Sequence, residues 1–495
     1  MSIEATLEIE KTKLHWLETT RCSSSLWNGS NAPINHVNLA NTRATPWLLV
    51  KNLESGEINE WSMPVPPEIV PPSATLASGE VLKDEFFLHQ RLNIYGTGIF
   101  EIKARYTFGA STVDSPAIRL EVLSTSPRAL TIASLRGGPA LLSYCAWIDA
   151  ERDKGVLWVT ALSLSGQPRF EESIRLAELP LTSKPVLSIP PNTIPNRQWV
   201  GWIDGDEFHY TAHDTDEIAR GSIKLVATGY KLVAPLFEEP FCAGKPQEAQ
   251  ALLIKSIDSG WEMQAAHLGH NPALLSEPIN VKGAPPLWAR SAYRSDLQRR
   301  TFFLVADHLE GGLPRVHLTM SRWGFNEVPG LPTRVSSWTG RLLASDLCLT
   351  GDDSIVGAAV LCREDTDGPT YLIQRWRLGA DDSFVEEQSQ PLVWSGTEGF
   401  LERAILRINT QGDPFLLLQR RDGIWIYAGG DGQVKHISPD LEFMKVPLDV
   451  CFADHNVPIV VHPEAHVGLK IDHLLPEKHS TTSGPPVVRP ILEEA

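Results

Sequence analysis

Four charged residues, Arg290, Asp346, Arg403 and Asp449, fall at intervals of roughly 50 residues and alternate in sign, each in the first strand of a repeated unit. Two kinds of chemistry fit such a series. Neighbouring units can be pinned together by ion pairs, or a row of charges can line a polar site that holds a ligand; structural networks and functional sites look alike at this level. The four are the candidate ligand-binding residues of the chain, with unit-to-unit pairing as the reading their types favour. Histidines crowd late in the chain at His455, His462, His466, His473 and His479, with Cys451 nearby. Zinc needs about four converging ligands. However, His462 and His466 flank Pro463-Glu464, which reads as a turn, and alternate residues of a strand point to opposite faces. No metal site is expected. Asp204-Gly205-Asp206 and the DTDG run at 365–368 are fragments of a calcium loop without its distal Glu, so both read as turns. Nucleophile-elbow, P-loop and dinucleotide-binding patterns do not occur, and no catalytic residue and no cofactor are assigned.

The elements that would position these residues are short β-strands. The clearest unit is 341–394, which reads as four strands and three tight turns. Its second strand, 354–363, is apolar on both faces: Ile355, Ala359 and Leu361 on one, Val356, Ala358, Val360 and Cys362 on the other. Such a run suits a strand covered above and below. The fourth strand, 383–394, carries Glu386, Glu387 and Gln388 as an outer edge should. Equivalent second strands fall at 140–149, 199–204, 251–258, 301–307, 414–421 and 457–464, making seven units between about residues 127 and 476. Asp149, Asp204, Asp258 and Asp307 close four of these strands, where a carboxylate can accept a hydrogen bond from the turn it begins. In the seventh unit a fourth strand is unclear, and closure is expected to borrow a strand from the linker or the tail.

Four-stranded units repeated in this way resemble a β-propeller in general plan, without the WD dipeptide or the kelch glycine-aromatic signature. The resemblance implies a closed ring whose innermost strands carry Arg290, Asp346, Arg403 and Asp449 along a central channel. The run 256–261, SIDSGW, is similar to the Asp box of sialidase-like propellers, but its Trp comes too early and a hairpin explains it. Residues 1–123 lack the repeat. Their clearest strand is 98–107, with Phe100, Ile102, Ala104 and Tyr106 alternating with polar residues; with 117–122 it forms a terminal hairpin. The closing pattern Gly98-x-Phe100-x-x-x-Ala104-x-Tyr106 resembles that of immunoglobulin-like sandwiches, in which a tyrosine ties down a corner. The expected organisation is an all-β chain: an immunoglobulin-like β-sandwich over 1–123, a linker at 124–128, a propeller over 129–476 and a partner-docked or frayed tail at 477–495.

Composition limits the function. The 495 residues carry a formal net charge of −16, which opposes phosphate backbones and anionic membranes, so neither nucleic acid nor membrane is an expected partner. No apolar run of about 18 residues occurs, and the acidic N-terminus lacks a secretory signal pattern, which places the chain in the cytoplasm. Six scattered cysteines without a CxxC pair read as reduced, buried thiols. Asn28-Gly29-Ser30 fits a glycosylation pattern but reads as a turn. The expected role is a non-enzymatic protein–protein interaction scaffold, with other proteins of a complex as partners. The alternatives are a propeller hydrolase or lyase acting on a glycan at the channel mouth and, third, lectin-like sugar binding.

Overall fold

The computed structural model describes residues 3–473 apart from short intervals, the longest at 62–72, 89–95, 135–141, 189–197, 239–248 and 439–446. The expected tail lies outside the described residues. Every regular element among them is a β-strand. Two sheets built from residues 3–122 face one another. One has the order Ile3–Ile9, Arg21–Asn28, Val81–Phe87, and the other the order Lys13–Leu14, Ile118–Val122, Gly98–Phe108, followed by Ile34–Asn38 and Trp47–Asn52 along the far side of Gly98–Phe108. Period-two alternation sends Phe100, Ile102, Ala104 and Tyr106 into the core between the sheets, together with Leu26, Val37, Leu48 and Leu120. Each such side chain contributes roughly 1.5–3 kcal/mol by burial. The tyrosine differs from expectation. It ties no corner: its hydroxyl reaches Ser24 Oγ of the facing sheet at 3.1 Å, and burial pushes that phenol up to about 12. Asn28 is buried, its amide donating to the carbonyls of Ala32, Leu76 and Ala77, so the Asn-Gly-Ser run is a turn organiser.

Seven sheets follow among the described residues, packed in the manner of a β-propeller and numbered as blades one to seven in chain order. Their second strands are Leu142–Glu151, Gln198–Asp204, Ala249–Ile257, Arg299–Glu310, Ile355–Asp365, Pro414–Arg420 and Pro458–Glu464, close to the runs read from sequence. The two-faced strand of blade five shows why the ring forms. Ile355, Ala359 and Leu361 pack into a core shared with Phe303, Val305 and Trp338 of blade four. Ala358 and Val360 pack into another with Leu406, Ile408 and Leu416 of blade six. A sheet with two apolar faces must be covered twice, and neighbours on both sides do so. Similar shared cores join blades one and two, three and four, and six and seven. Blades two and three meet through their strands Gln198–Asp204 and Tyr230–Leu232.

One expectation is corrected. The fourth strand of blade five is not continuous. Phe384–Glu386 and Gln390–Pro391 both pair with Gly368–Leu378, while Val393–Trp394 leaves to run parallel to Gln433–Ser438 of blade six. The buried Gln374 side chain holds the break open, its amide donating to Glu387 O at 2.7 Å and its carbonyl accepting from Ser389 Oγ. The tail from which a closing strand was expected lies outside the described residues. Blade seven has three strands among the described residues, Asp449–Phe452, Pro458–Glu464 and Gly468–His473, and the core between blades seven and one contains Trp16 of the sandwich, with Ile132, Cys145 and Trp147 on one side and Cys451, Ile459, Val461 and Leu469 on the other.

Candidate functional site

The charged series lies in the first strands of blades four to seven, Trp288–Arg294, Arg341–Leu349, Leu401–Ile408 and Asp449–Phe452. Asp346 is 0% exposed. Its Oδ1 lies 3.7 Å from Arg290 Nε of blade four, and its Oδ2 accepts the backbone N–H of Ile408 of blade six at 3.0 Å. One carboxylate thus fastens blade five to both neighbours. Asp449 repeats the device two blades on. Its Oδ1 meets the Arg407 guanidinium of blade six and the Val450 N–H, and its Oδ2 accepts the Ile132 N–H of blade one at 2.9 Å. Arg403 is exposed and donates to Leu448 O at 2.8 Å. Four successive seams, from blade four round to blade one, therefore carry a charged tie. Hydrogen bonds to charged groups are worth about 1.5–3 kcal/mol each, and both oxygens of Asp346 and of Asp449 are engaged in joining blades.

The acidic residues that end second strands also reach further than expected. Asp149 accepts the Ser126 N–H at 2.8 Å and the Trp147 indole N–H at 3.1 Å, which pins the segment entering blade one. Asp307 accepts the Leu342 N–H at 3.0 Å, joining blade four to blade five. Burial raises both carboxyls above their ordinary value, with these hydrogen bonds opposing it. Asp258 and Ser259 form a two-residue hairpin between Ala249–Ile257 and Gly260–Leu268, and a Cβ on Gly260 would stand 2.1 Å from Val281 O.

His462 places Nε2 2.8 Å from Asp472 Oδ2 and Nδ1 3.2 Å from Pro463 O. His455, His466 and His479 lie outside the described residues. Among the described residues no group of three or more His, Cys, Asp or Glu is placed to hold a metal ion. Of the six cysteines, Cys22, Cys145, Cys348, Cys362 and Cys451 are joined by no disulfide among the described residues, and all but Cys362 are buried; Cys242 lies outside the described residues. Burial pushes the Cys22 and Cys451 thiols up to about 12 and Cys145 well above its ordinary range.

Sequence reasoning missed two residues. Arg407, not Arg403, pairs with Asp449; the two arginines share strand parity, and only the hydrogen-bond register separates them. Arg294 is fully buried at the end of its strand, donating to Asp382 Oδ1 at 3.0 Å, to Gly379 O at 3.3 Å and to Ala380 O, so the turn of blade five wraps its guanidinium. Asp382 holds a φ of +64° there. The sequence Gly379-Ala380-Asp381-Asp382 signals only a turn.

No protein-family model and no curated protein matches the chain. Among solved structures, the chain is similar to Aleuria aurantia lectin in complex with α-methyl-L-fucoside, at 12% identity over 64% of this chain and 96% of the lectin, with a TM-score of 0.35. It is also similar to Chaetomium thermophilum Sqt1 bound to the N-terminus of ribosomal protein L10, at 12% identity over 68% and 82% of the two chains, with a TM-score of 0.34. The WD40 domain of SCAP from fission yeast aligns at 9% identity over 84% and 92%, with a TM-score of 0.29. The fold assignment rests on the strand pairing described above. Among the described residues no helix is long and apolar enough to cross a membrane.

Proposed function

We propose that the protein is a non-enzymatic interaction scaffold of a cytoplasmic assembly, built from an immunoglobulin-like sandwich over 1–123, a linker at 124–128, a seven-bladed propeller over 129–476 and a tail at 477–495. The sandwich reading is supported by its strand order, three strands facing a sheet in which the first-strand extension Lys13–Leu14 runs parallel to the last strand. One observation carries the scaffold reading. In blade four the hairpin formed by Arg299–Glu310 and Leu313–Gly324 extends beyond its neighbouring strands. Its end of the blade exposes Leu309 at 71%, Leu313 at 59% and Leu287 at 60%. By cross-strand pairing Leu309 and Leu313 stand on opposite faces of this hairpin, on either side of the Gly311-Gly312 turn, so its tip offers large apolar side chains on both faces to a protein that clasps it. The negative net charge favours basic protein surfaces over nucleic acid.

An affinity capture from the native host, comparing the parent with Leu309→Asp/Leu313→Asp, tests the reading. The parent is expected to retain a defined protein set that the variant loses. Recovery of the chain alone, together with turnover of a glycan library, would sink it.

A further inference from the structure

Most seams of the ring are filled by side chains of the two blades that form them. Between blades four and five one filler is Trp376, which lies over Gly357, where a Cβ would stand 2.1 Å from its ring, and stacks on Trp338 of blade four at 5.5 Å. The seam between blades seven and one holds a tryptophan in the same relation, but from outside the ring. Trp16 is 1% exposed, lies over Gly468 of blade seven, where a Cβ would stand 2.2 Å from its ring nitrogen, and meets Trp147 of blade one edge-on at 5.9 Å. Its backbone is secured as well. Ser173 of blade one donates its hydroxyl to Trp16 O and its N–H to Leu17 O, and Glu18 forms a parallel bridge with the same serine. His15 Nε2 lies 2.7 Å from Glu151 Oε1, and its ring centroid lies 4.6 Å from that of Trp158.

We propose that segment 15–18 of the sandwich is the clasp of the propeller: beside the direct bond from Ile132 N–H to Asp449, the apolar seam between the first and last blades is sealed by a side chain that belongs to neither, so ring closure depends on the sandwich. Docking of the sandwich and sealing of the ring are then a single event, and the angle between the two parts is set by the seam.

Hydrogen exchange read by mass spectrometry on the full chain tests this. Trp16→Ala is expected to raise exchange roughly tenfold or more in Pro127–Ser134, Asp449–Phe452 and Gly468–His473, and to leave Arg341–Leu349 and Ile355–Asp365 unchanged. Trp323→Ala, which removes an equally buried tryptophan from blade four, should loosen blades three and four and spare the seam. Where Trp16→Ala does not fold, Ser173→Ala keeps the ring and removes only the hydroxyl that holds Trp16 O; it is expected to show the same seam pattern with a smaller rise. A rise confined to the sandwich, a rise shared equally by all blades, or no rise in either variant overturns the proposal.

Discussion

A carboxylate with no exposed surface is stabilising only while its partners are present. Removing one member of a buried charged pair costs about 3–5 kcal/mol, whereas replacing both by apolar groups can be neutral. Asp346→Ala should therefore lower unfolding free energy by roughly that amount, and Arg290→Met/Asp346→Leu should recover part of it; urea unfolding of the two variants checks this. Asp307 predicts a pH effect. Burial raises its carboxyl, so the folded state holds that proton more tightly than the unfolded chain. Its stabilising contribution is complete below the unfolded value, ~4, and is lost as pH rises through the higher folded value. Asp307→Asn keeps the acceptor for the Leu342 N–H, so its stability relative to the parent should increase as pH rises from ~4 through the raised folded value; a difference independent of pH would contradict this. Among the described thiols, Cys362 should be alkylated first in the native protein, ahead of Cys22, Cys145, Cys348 and Cys451, as peptide mapping would show. The alternation of Arg290, Asp346, Arg403 and Asp449 was legible because it repeats with the unit. Arg407 and Arg294 were not, because which arginine reaches a carboxylate is decided by register and by the path of a neighbouring turn.

At the scale of the strand, apolarity on both faces was the strongest signal, and the two face sets of Ile355–Asp365 divide between the two flanking cores as their parity requires. The same strand contains a glycine for a packing reason. Gly357 lies opposite Trp376, and the added methyl of Gly357→Ala would overlap the indole. Overpacking of this kind costs about 1–3 kcal/mol, so the variant should unfold at lower urea concentration with an unchanged slope. The broken fourth strand of blade five could not be read in advance. Its residues suit an outer edge, and what interrupts the ladder is the side chain of Gln374, a residue in another strand. The partner of Glu386 was equally hidden: its carboxylate accepts the Trp338 indole N–H at 2.7 Å, from the outer strand of the preceding blade.

For the whole molecule, the repeat period and the all-β class could be read from the chain, because both follow from local pattern. How the ring closes could not. Trp16 and Gly468 are distant in sequence, and nothing near Trp16 distinguishes it from a core residue of its own sandwich. A shared core between the sandwich and two blades predicts that both parts melt together. Calorimetry of the full chain should give one transition, and a separate early transition for the sandwich would contradict this. The placement of Trp16 also bears on synthesis. A ribosome adds ~5–20 residues per second, and roughly 450 residues separate the tryptophan from the glycine beneath it, so about 20–90 s pass before the seam can form. Throughout that time the Trp16 indole and the flank of the first blade lack their partners in blade seven, so an aromatic surface stays uncovered on the newborn chain until Gly468 has been made.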